Sequence, residues 1–486
     1  MKKVVIIGGG IAGTSCAEYI NAYSLMDIEV LIIAASDVVK SAVTTKKITS
    51  IMKEMDVRET SLDSFKKQFH NVSVFTGSVT EVLADEKIVK TKDKSFKYDK
   101  LCICTGAIPN TIKMDNITDT TRSNIIYIRD TDTVKQLKEK LANARKMIVI
   151  GNGGIALELV YEVSNCDITW CIRHDYIGNT FLDKGAATFF LPSLHGNVNS
   201  SNGKSKKFEQ TIFRRRMYEA EREFIQGDGK EFGVTGSALG PDWSSRQNLR
   251  GCKSTSSNIN IRYNCEPKRI FSCHDQPPKN KIYVELATGE VIGGDVVVCA
   301  TGASPNLPFP ILSKSQIKLS EDGGIFVDNN MRSNINEIYA AGDVCSPSFT
   351  QTKHWFPMKL WTQGWQMGAY SGKCIVENFN NQDLMADICF ELFTHATTFF
   401  GFKVCLLGCY NGQNLKADKC ELLFRCTRGV EYIKIVLEDD RVQGAILIGE
   451  TDLEETVENL ILNQLNVGFI KDHLLDPNVD IEDYFD

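Results

Sequence analysis

The first residues of this chain that could do chemistry are three glycines near its start. Residues 2 to 20, KKVVIIGGGIAGTSCAEYI, pass from an apolar run to Gly8, Gly10 and Gly13 and then to a helical pattern. In this spacing the first glycine permits a tight turn, the second lets backbone approach a pyrophosphate, and the third lets the helix pack on the strand. The helix N-terminus then offers free N–H groups and a positive dipole end to the phosphates. The segment predicts a dinucleotide cradle.

A second segment repeats this pattern about 140 residues later. Residues 146 to 163, KMIVIGNGGIALELVYEV, place Gly151 and Gly153 in the first two positions and Ala156 in the third. Alanine keeps that packing site small, which the pattern tolerates. One hydride carrier would need only one cradle, so two cradles indicate two dinucleotides.

Three further strand ends carry residues suited to a bound nucleotide. KLCICTGAIPN (100 to 110) and VVVCATGASPN (296 to 306) are near-copies, which place Thr105 and Gly106 in the first copy and Gly302 in the second. Each is predicted to end a mononucleotide fold and return the chain to its neighbour. NEIYAAGDV (336 to 344) ends on Gly342-Asp343, where a carboxylate can hydrogen-bond a polyol hydroxyl. Taken alone, Asp343 would be interpreted as an ordinary turn acid.

In this order, the motifs resemble those of the pyridine nucleotide-disulfide oxidoreductase class of flavoproteins over roughly residues 1 to 378. The resemblance implies FAD on the first cradle and on Asp343, NAD(P)H on the second cradle, and hydride transfer from nicotinamide to flavin. GNGGIALELVYE, GSALGPDW, LIGETDLEETVENLILNQ and DPNVDIEDYFD are similar to one member of the class nearly end to end. That closer similarity implies association with the tRNA-splicing RNA ligase, a metal enzyme with an oxidisable site. Composition and spacing show nothing of that partner.

The positions that read an adenosine ribose depart from the usual pattern. A carboxylate is expected about 20 residues past the glycines, but the first window reads Ile33-Ala34-Ala35-Ser36-Asp37, so Ser36 or Asp37 would substitute. The second window holds Arg173, which can pair with a 2′-phosphate. We expect NADPH to be accepted alongside NADH, unless Arg173 is only a solvated strand end.

The larger departure is a missing cysteine. Members of the class carry a C-x-x-x-x-C pair or one peroxidatic cysteine after the second strand of the first domain, where the flavin passes electrons to sulfur. Residues 36 to 60 contain no cysteine, and we expect a loop there. Buried spectator thiols are expected at the close pairs elsewhere: Cys102/Cys104, Cys405/Cys409 and Cys420/Cys426.

We therefore expect an FAD-dependent NAD(P)H oxidoreductase of low turnover that is EC 1.8.1-like in fold but lacks the disulfide centre. Its reduced flavin would be reoxidised by oxygen or an exogenous acceptor, or would persist as a complex with NAD(P)+. One alternative is a conventional NAD(P)H-dependent reductase of a small-molecule or disulfide acceptor, which rapid turnover would favour. The other is a nicotinamide-gated protein-binding module, in which both cofactors only control an interface.

A few polar residues are candidates for shaping the flavin site. Glu158 follows the second cradle on its helix, where members of the class position a carboxylate near the nicotinamide. Lys46, with Lys40 as the alternative, is the candidate cation near the reactive flavin nitrogen, where it would stabilise the anionic reduced flavin. Thr362 and Gln363, in KLWTQGWQMGAYSGKC, are predicted to start a helix whose dipole faces the isoalloxazine. No metal-ligand set is predicted.

These sites require an α/β fold with two Rossmann-like dinucleotide-binding domains and an α+β C-terminal domain. We predict a discontinuous FAD-binding domain over residues 1–115 and 300–380, and an NAD(P)-binding domain over 116–299. From 386 to 486, alternating strands and one helix are predicted to form the C-terminal domain, which many members of the class use to dimerise.

An insertion at about residues 178–258 lies outside this plan. It contains NVNSSNGKSKK and then FEQTIFRRRMYEAEREF, whose composition predicts a helix with a basic face around Arg214, Arg215, Arg216 and Arg222. The arginines are mixed with acids, so direct nucleic-acid binding is not expected. A solvated helix and a docking arm for a protein partner both remain open.

The chain ends in an acidic tail, residues 476–486. Acidic tails are usually disordered, but this one interleaves Ile481, Tyr484 and Phe485 with its acids. Aromatics in that setting suit insertion of residues 479–486 into a basic or metal-bearing pocket on a partner.

Composition limits the cellular setting. A chain of 486 residues exceeds one average core, and 43% hydrophobic and 24% charged residues are ordinary for a soluble globular protein. A net charge of −6 argues against whole-surface attraction to nucleic acid, and the apolar runs are shorter than a membrane span. The 16 dispersed cysteines fit reduced thiols, and the first predicted strand at Lys3 leaves no room for a signal peptide. We expect a protein of the cytoplasm and nucleus.

Overall fold

A computed structural model describes residues 2–115, 117–128, 131–194, 212–217, 249–253, 258–272, 280–349, 352–385 and 387–479, together with Ile481 and Tyr484. From 2 to 115 its elements are β1 (Lys2–Ile7), α1 (Ile11–Tyr23), β2 (Ile28–Ala34), β3 (Val38–Lys47), β4 (Lys53–Ser61), α2 (Leu62–Lys66), β5 (Val72–Thr76), β6 (Val79–Leu83), β7 (Ile88–Thr91), β8 (Ser95–Lys97), β9 (Lys100–Ile103), β10 (Ala107–Pro109) and β11 (Met114–Asp115).

The middle of the chain follows with α3 (Asp119–Arg122), β12 (Ile125–Tyr127), α4 (Thr131–Leu141), β13 (Lys146–Ile150), α5 (Gly154–Glu162), β14 (Asp167–Cys171), α6 (Lys184–Leu194), β15 (Ile212–Met217), β16 (Ile259–Arg262), β17 (Pro267–Phe271), β18 (Ile282–Leu286), β19 (Val291–Gly294) and β20 (Val296–Cys299). The last part contains β21 (Ala303–Pro305), β22 (Ile311–Leu312), β23 (Ile325–Val327), β24 (Ile338–Ala340), β25 (Cys345–Pro347), α7 (Trp361–Phe379), β26 (Thr394–Phe399), β27 (Phe402–Gly408), β28 (Cys420–Thr427), β29 (Glu431–Glu438), β30 (Arg441–Ile448) and α8 (Glu454–Asn463).

Two parallel five-stranded sheets form the centre of the molecule, in the orders β24-β9-β1-β2-β5 and β12-β20-β13-β14-β16. The strand that leads into each predicted cradle, β1 or β13, lies in the middle of its sheet. Val4–Ile7 and Met147–Ile150 are buried because parallel sheets are covered on both faces. The strand before each Thr-Gly-Ala motif, β9 or β20, pairs directly with the cradle strand. The α/β fold class with two such units is confirmed.

Each parallel sheet has a smaller companion of four strands, β22-β6-β7-β8 for the first and β11-β17-β18-β19 for the second. The long helix α7 packs against α1 so closely that a Cβ atom on Gly368 would lie 2.2 Å from the carbonyl oxygen of Ala12. Tight packing of these helices brings their N-termini to the same region of the molecule.

The C-terminal region forms a six-stranded antiparallel sheet, β15-β28-β29-β30-β27-β26, with α8 packed against it. Its outermost strand, β15, comes from the predicted insertion and pairs antiparallel with β28 from Ile212↔Cys426 to Met217↔Glu421. The helix predicted around the three arginines is therefore wrong at residues 212–217, because pairing with an exposed sheet edge overrides local composition. The segments 195–211 and 218–248, with NVNSSNGKSKK and Arg222, lie outside the described residues.

Two parts of the chain are more firmly packed than the sequence indicates. Within the predicted insertion, α6 buries Ala186, Ala187 and Phe190 in the core of the second unit. In the acidic tail, the side chain of Ile481 is 7% exposed and packs into the C-terminal core.

An ion pair between the buried Lys434 and the partly buried Asp183 joins the second parallel unit to the C-terminal sheet. Asp183, just before α6, pairs with Lys434 on β29 and accepts a hydrogen bond from Tyr432 Oη at 3.1 Å. Burial lowers the pKa of Lys434. Burial alone would raise the pKa of Asp183, but the Lys434 ammonium and its hydrogen bond outweigh burial, so the pKa of Asp183 is lowered. Both charges are held because each is the other's partner.

Among the helices that the structure describes, none combines the length and the apolar character that crossing a membrane requires.

Candidate functional site

The first glycine segment forms the predicted turn between β1 and α1. Gly8 has a φ of +123°, and a Cβ atom there would lie 2.2 Å from the carbonyl oxygen of Cys104. A Cβ atom on Gly13 would lie 2.0 Å from the carbonyl oxygen of Gly8, whereas one on Gly10 would meet no heavy atom of the described chain within 4 Å. Two glycines are therefore needed for packing, and Gly10 leaves room at the helix N-terminus for a ligand.

The second glycine segment repeats this design between β13 and α5. Gly151 has a φ of +132°, and its Cβ atom would lie 2.0 Å from the carbonyl oxygen of Ala300. A Cβ atom on Gly153 would contact nothing within 4 Å in the described part of the chain, and Ala156 is fully buried. Trp170 Nε1, on the neighbouring strand β14, donates to the carbonyl oxygen of Gly151 at 2.7 Å and fixes the position of the turn.

The two Thr-Gly-Ala motifs lock together. They form the two-stranded antiparallel pair β10-β21, with Ile108 opposite Ser304. The backbone N–H of Asn306 donates to the carbonyl oxygen of Gly106 at 2.8 Å, and the backbone N–H of Asn110 donates to the carbonyl oxygen of Gly302 at 2.8 Å. Thr105 Oγ1 also donates to the carbonyl oxygen of Asn306. The near-copies thus fix the orientation of one cradle relative to the other.

Asp343 and the N-terminus of α7 border one cavity of about 120 Å³. Gly342, Lys359, Gln363 and Gly364 contribute to its walls. Gln363 uses both ends of its amide on the preceding turn, since Oε1 accepts from the Met358 amide at 2.7 Å and Nε2 donates to the Phe356 carbonyl at 3.0 Å. The predicted helix start is confirmed, with α7 beginning at Trp361.

The Asp343 carboxylate accepts no hydrogen bond from any described residue. Burial raises the pKa of Asp343 to about 6, and the positive charge of Lys359 only partly opposes this. Lys359 instead forms an ion pair with Asp322 at 2.9 Å. A desolvated carboxylate without a donor is costly, and donors from a bound polyol would satisfy it.

The two candidate ribose-reading positions both lie at strand ends. Ser36 is exposed just past β2, and its hydroxyl donates to the Val38 carbonyl at 2.8 Å, which makes a local turn. Arg173 is exposed just past β14, with Nε 3.9 Å from Glu266 Oε1. Glu266 follows β16, the strand next to β14, so a carboxylate and a guanidinium lie together at the edge where an adenosine ribose is expected.

The segment expected to be a loop is a β-hairpin. Residues 38–61 form the antiparallel pair β3-β4, from Val38↔Ser61 to Lys47↔Lys53. Lys46 is exposed near the end of β3 and lines neither described cavity. Lys40 lies beside the first cradle, because its backbone amide donates to the Gly9 carbonyl at 2.9 Å. The expectation of a loop is wrong because four of the seven residues in Val38–Thr44 are β-branched, which favours a strand.

Glu158 lies in the second turn of α5, partly buried, beside the second cradle. It does not line either described cavity. The structure therefore places it on the predicted helix, and its role near a nicotinamide stays a prediction.

The fifteen described cysteines are all free thiols. Cys102 and Cys104 point the same way, and their Sγ atoms lie 3.5 Å apart in the core behind the first cradle. Cys405 and Cys409 are buried, and Cys420 and Cys426 are partly buried. The described residues contain no cluster of side chains that could hold a metal ion.

Sequence reasoning missed the residues that join all three units. His395 on β26 is 4% exposed, lies 3.5 Å from Thr362 Oγ1 through Nδ1, and stacks on Phe181 with ring centroids 5.8 Å apart. A Cβ atom on Gly154, at the start of α5, would lie 3.3 Å from Phe181. Burial lowers the pKa of His395 to about 4, so the imidazole is neutral at physiological pH. No local motif marks these residues, because their contacts cross three units.

These features define a two-cradle flavoprotein, and the chain belongs to the pyridine nucleotide-disulphide oxidoreductase family, whose sequence profile matches residues 2–207 and 250–368. It is 41% identical to pyridine nucleotide-disulfide oxidoreductase domain-containing protein 1 of Homo sapiens, over 100% of this chain and 98% of that protein. The protein of the same name from Mus musculus is 40% identical over 99% of this chain and 98% of its own length. The protein of the same name from Drosophila melanogaster is 38% identical over 100% of this chain and 99% of its own length.

Solved structures share the fold at low sequence identity. The covalent putidaredoxin reductase–putidaredoxin complex is 15% identical with a TM-score of 0.67, over 100% of this chain and 98% of that chain. An NAD-dependent persulfide reductase from A. fulgidus is 19% identical with a TM-score of 0.64, over 99% of this chain and 79% of that chain. The water-forming NADH oxidase from Lactobacillus brevis, bound to NADH, is 16% identical with a TM-score of 0.62, over 96% and 92%.

Members of this family are FAD-dependent NAD(P)H oxidoreductases, and the prediction of FAD and NAD(P)H as cofactors is confirmed. The residues present fit both groups. Gly10 and Gly153 leave room for a pyrophosphate at helix N-termini, and Asp343 has a carboxylate in need of hydroxyl donors.

Proposed function

We propose that this protein is an FAD-dependent NAD(P)H oxidoreductase of low turnover that works without a redox-active disulfide. The β3-β4 hairpin carries this proposal. It occupies the position after β2 at which other members of the class place a reactive cysteine, and it contains none. Because no thiolate follows the flavin in the electron path, the electron pair stays on the flavin until an acceptor reaches it.

The residues of the chain bind, orient and exclude water. FAD, when bound, supplies the acceptor for the hydride of NAD(P)H. Gly10 and Gly153 admit the two pyrophosphates against helix N-termini, and Asp343 accepts hydrogen bonds from a hydroxyl of the first nucleotide. Phe181 and the neutral His395 close the junction of the three units to water, which strengthens the electrostatic interactions inside it.

We further propose that both NADH and NADPH are accepted. Arg173 offers a guanidinium to a 2′-phosphate, and Glu266, 3.9 Å away, offers a carboxylate to a 2′-hydroxyl. Both side chains are more than half exposed, so their mutual attraction is weak enough to be exchanged for a ligand.

We also propose that the protein protects or regulates a partner against oxidation, in the cytoplasm and nucleus. Similarity to the named relatives suggests the tRNA-splicing RNA ligase as that partner. The tail supports a protein-binding role, because Ile481 is anchored in the C-terminal core while Tyr484 is 46% exposed, close to Phe469, which is 67% exposed. Removing residues 482–486 keeps the Ile481 anchor and should weaken ligase capture without changing flavin reduction. Capture that is unchanged by this truncation would contradict the role of the tail.

Anaerobic spectroscopy of the purified protein, mixed with NADH and separately with NADPH, tests the main proposal. We expect bleaching of the FAD band together with long-wavelength absorbance that decays slowly in air. When the protein is first reduced with dithionite and then titrated anaerobically with a thiol reagent, we expect no reactive dithiol that holds two electrons beyond those on the flavin. A coupled dithiol, or rapid turnover with a disulfide substrate, would identify a conventional reductase instead.

A further inference from the structure

We propose that Glu458, on α8 of the C-terminal region, is a positioning residue that holds the β3-β4 hairpin closed beside the flavin and thereby slows the access of large acceptors. The inference rests on the proposed function in one respect, the binding of FAD at the first cradle. It assigns a cause to low turnover, which the missing cysteine alone does not supply.

The hairpin contacts the first turns of both helices whose N-termini meet the predicted cofactor site, α1 and α7. At its base, the Lys40 carbonyl accepts a hydrogen bond from Thr14 Oγ1 at 2.7 Å, next to the first cradle. Further along, Met55 on β4 packs against Ile11 and Trp361, the first residues of α1 and α7. The hairpin therefore lies against both helix starts.

The tip of the hairpin is inserted into the C-terminal core. Ile51 is 8% exposed and Met52 is 1% exposed, and both pack with the residues of α8 and the six-stranded sheet. This contact ties the first parallel unit to the C-terminal region through a segment that the sequence predicts to be a loop.

Glu458 secures this tip. Its side chain is fully buried, and its carboxylate accepts hydrogen bonds from Thr49 Oγ1, from Ser50 Oγ at 2.8 Å and from the Ile51 amide at 3.2 Å. A buried carboxylate is tolerated only with such partners. The three donors all come from the tip, so opening the tip would leave the charge unpartnered.

The closed tip leaves little space beside α7. Ile51, Met52, Met55, Thr362 and Trp365 border a cavity of about 20 Å³. A water molecule requires roughly 10–15 Å³, so this space holds about one water molecule while the tip is closed. Opening the tip would enlarge this space, so that larger acceptors such as quinones could approach α7 and the flavin beside it.

The test compares Glu458→Ala with Glu455→Ala, a matched control that removes an exposed carboxylate from the same helix. Hydrogen–deuterium exchange of residues 48–55 should become about tenfold faster or more in Glu458→Ala, in the apo protein and the FAD-bound protein, and should stay unchanged in the control. After anaerobic reduction with NADPH, electron transfer to a benzoquinone should also accelerate about tenfold or more in Glu458→Ala only. Reduced FAD released into solution would also reduce the quinone, so filtration before the quinone is added must show that FAD stays bound to both variants.

A second variant approaches the same hydrogen bonds from the hairpin. Thr49→Val with Ser50→Ala should reproduce both effects, and combining it with Glu458→Ala should add little, since the changes remove the same interaction. It also keeps the test decisive if Glu458→Ala does not fold. An unchanged exchange rate at residues 48–55, or faster exchange without faster quinone reduction, would overturn the inference. Failure of NADPH to reduce the parent protein would refute the proposed function instead, while the exchange experiment would still report on the tip.

Discussion

Replacing Asp343 with asparagine separates the cofactor role of this residue from its effect on stability. In the absence of a ligand, burial raises the pKa of the carboxyl from 3.8 to about 6. This difference corresponds to about 3 kcal/mol of destabilisation of the ionised form in the folded protein. Because the folded pKa lies above the unfolded value, the apo protein is most stable with respect to this group below pH 4, and this stability is lost as the pH rises from about 4 to about 6.

We therefore expect apo Asp343→Asn to be as stable as the apo parent at pH 4 and more stable at pH 7, by up to about 3 kcal/mol. The amide has its own cost of burial, so the measured gain is smaller than this limit. With FAD the order should reverse, because a hydrogen bond to a charged acceptor is worth about 1.5–3 kcal/mol, or roughly 10- to 150-fold in Kd.

Thermal unfolding of FAD-stripped parent and variant from pH 4 to pH 8, with FAD titration of each, measures both effects. The difference between the two proteins is the informative quantity, since every other titrating group is common to both. A variant that binds FAD as tightly as the parent, or whose apo stability relative to the parent does not rise with pH, would refute the assignment of Asp343 as a destabilised ligand.

Three further substitutions test other parts of the site. Gly10→Val should fold normally, since Gly10 has an extended backbone with a φ of −80° and no heavy atom near its Cβ direction. The purified variant should nevertheless lack FAD absorbance. Gly153→Val should retain FAD and lose only the reduction of FAD by NAD(P)H. Arg173→Glu should shift the ratio of anaerobic flavin-reduction rates toward NADH, by roughly tenfold for each 1.4 kcal/mol of lost phosphate interaction, and an unchanged ratio would exclude Arg173 as the reader. Lys434→Met should lower the unfolding free energy, measured in urea, by at most about 3–5 kcal/mol, because it leaves the Asp183 carboxylate, whose side chain is 25% exposed, without its cation. Asp183→Asn in the same chain should restore part of that loss.

The parts of the site that sequence could predict are those built by short-range rules. The turn at Gly8 and the one at Gly151 both need a positive φ and a backbone contact with the next strand, so glycine spacing alone locates the cradles. The parallel sheets follow from the strand and helix order around them. The two asparagines that end the Thr-Gly-Ala motifs are a further sign in the sequence, because their side chains cross-link the near-copies. Asn306 Nδ2 donates to the Thr105 carbonyl at 3.2 Å and Asn110 Nδ2 to the Thr301 carbonyl at 3.4 Å.

The errors arise where contacts distant in sequence decide the structure. Residues 212–217 have helical composition but pair with β28, more than 200 positions away, and so form a strand. His395 and Phe181 meet near Thr362 only because three units converge there. Local sequence patterns carry no information about contacts between residues so distant in the chain. The β-branched residues of β3, in contrast, were a local sign of a strand.

Three carboxylates that are buried or partly buried show how the structure separates supporting groups from functional ones. Glu458 receives three hydrogen bonds from the hairpin tip, and Asp183 has an ammonium and a phenol as partners. Both are satisfied within the protein, so they hold units together and need no ligand. Asp343 faces a cavity and accepts no hydrogen bond from the described chain, so its folded state is strained until a hydroxyl-bearing molecule arrives. In sequence all three are simply acids near apolar residues; the donors around each one decide its function.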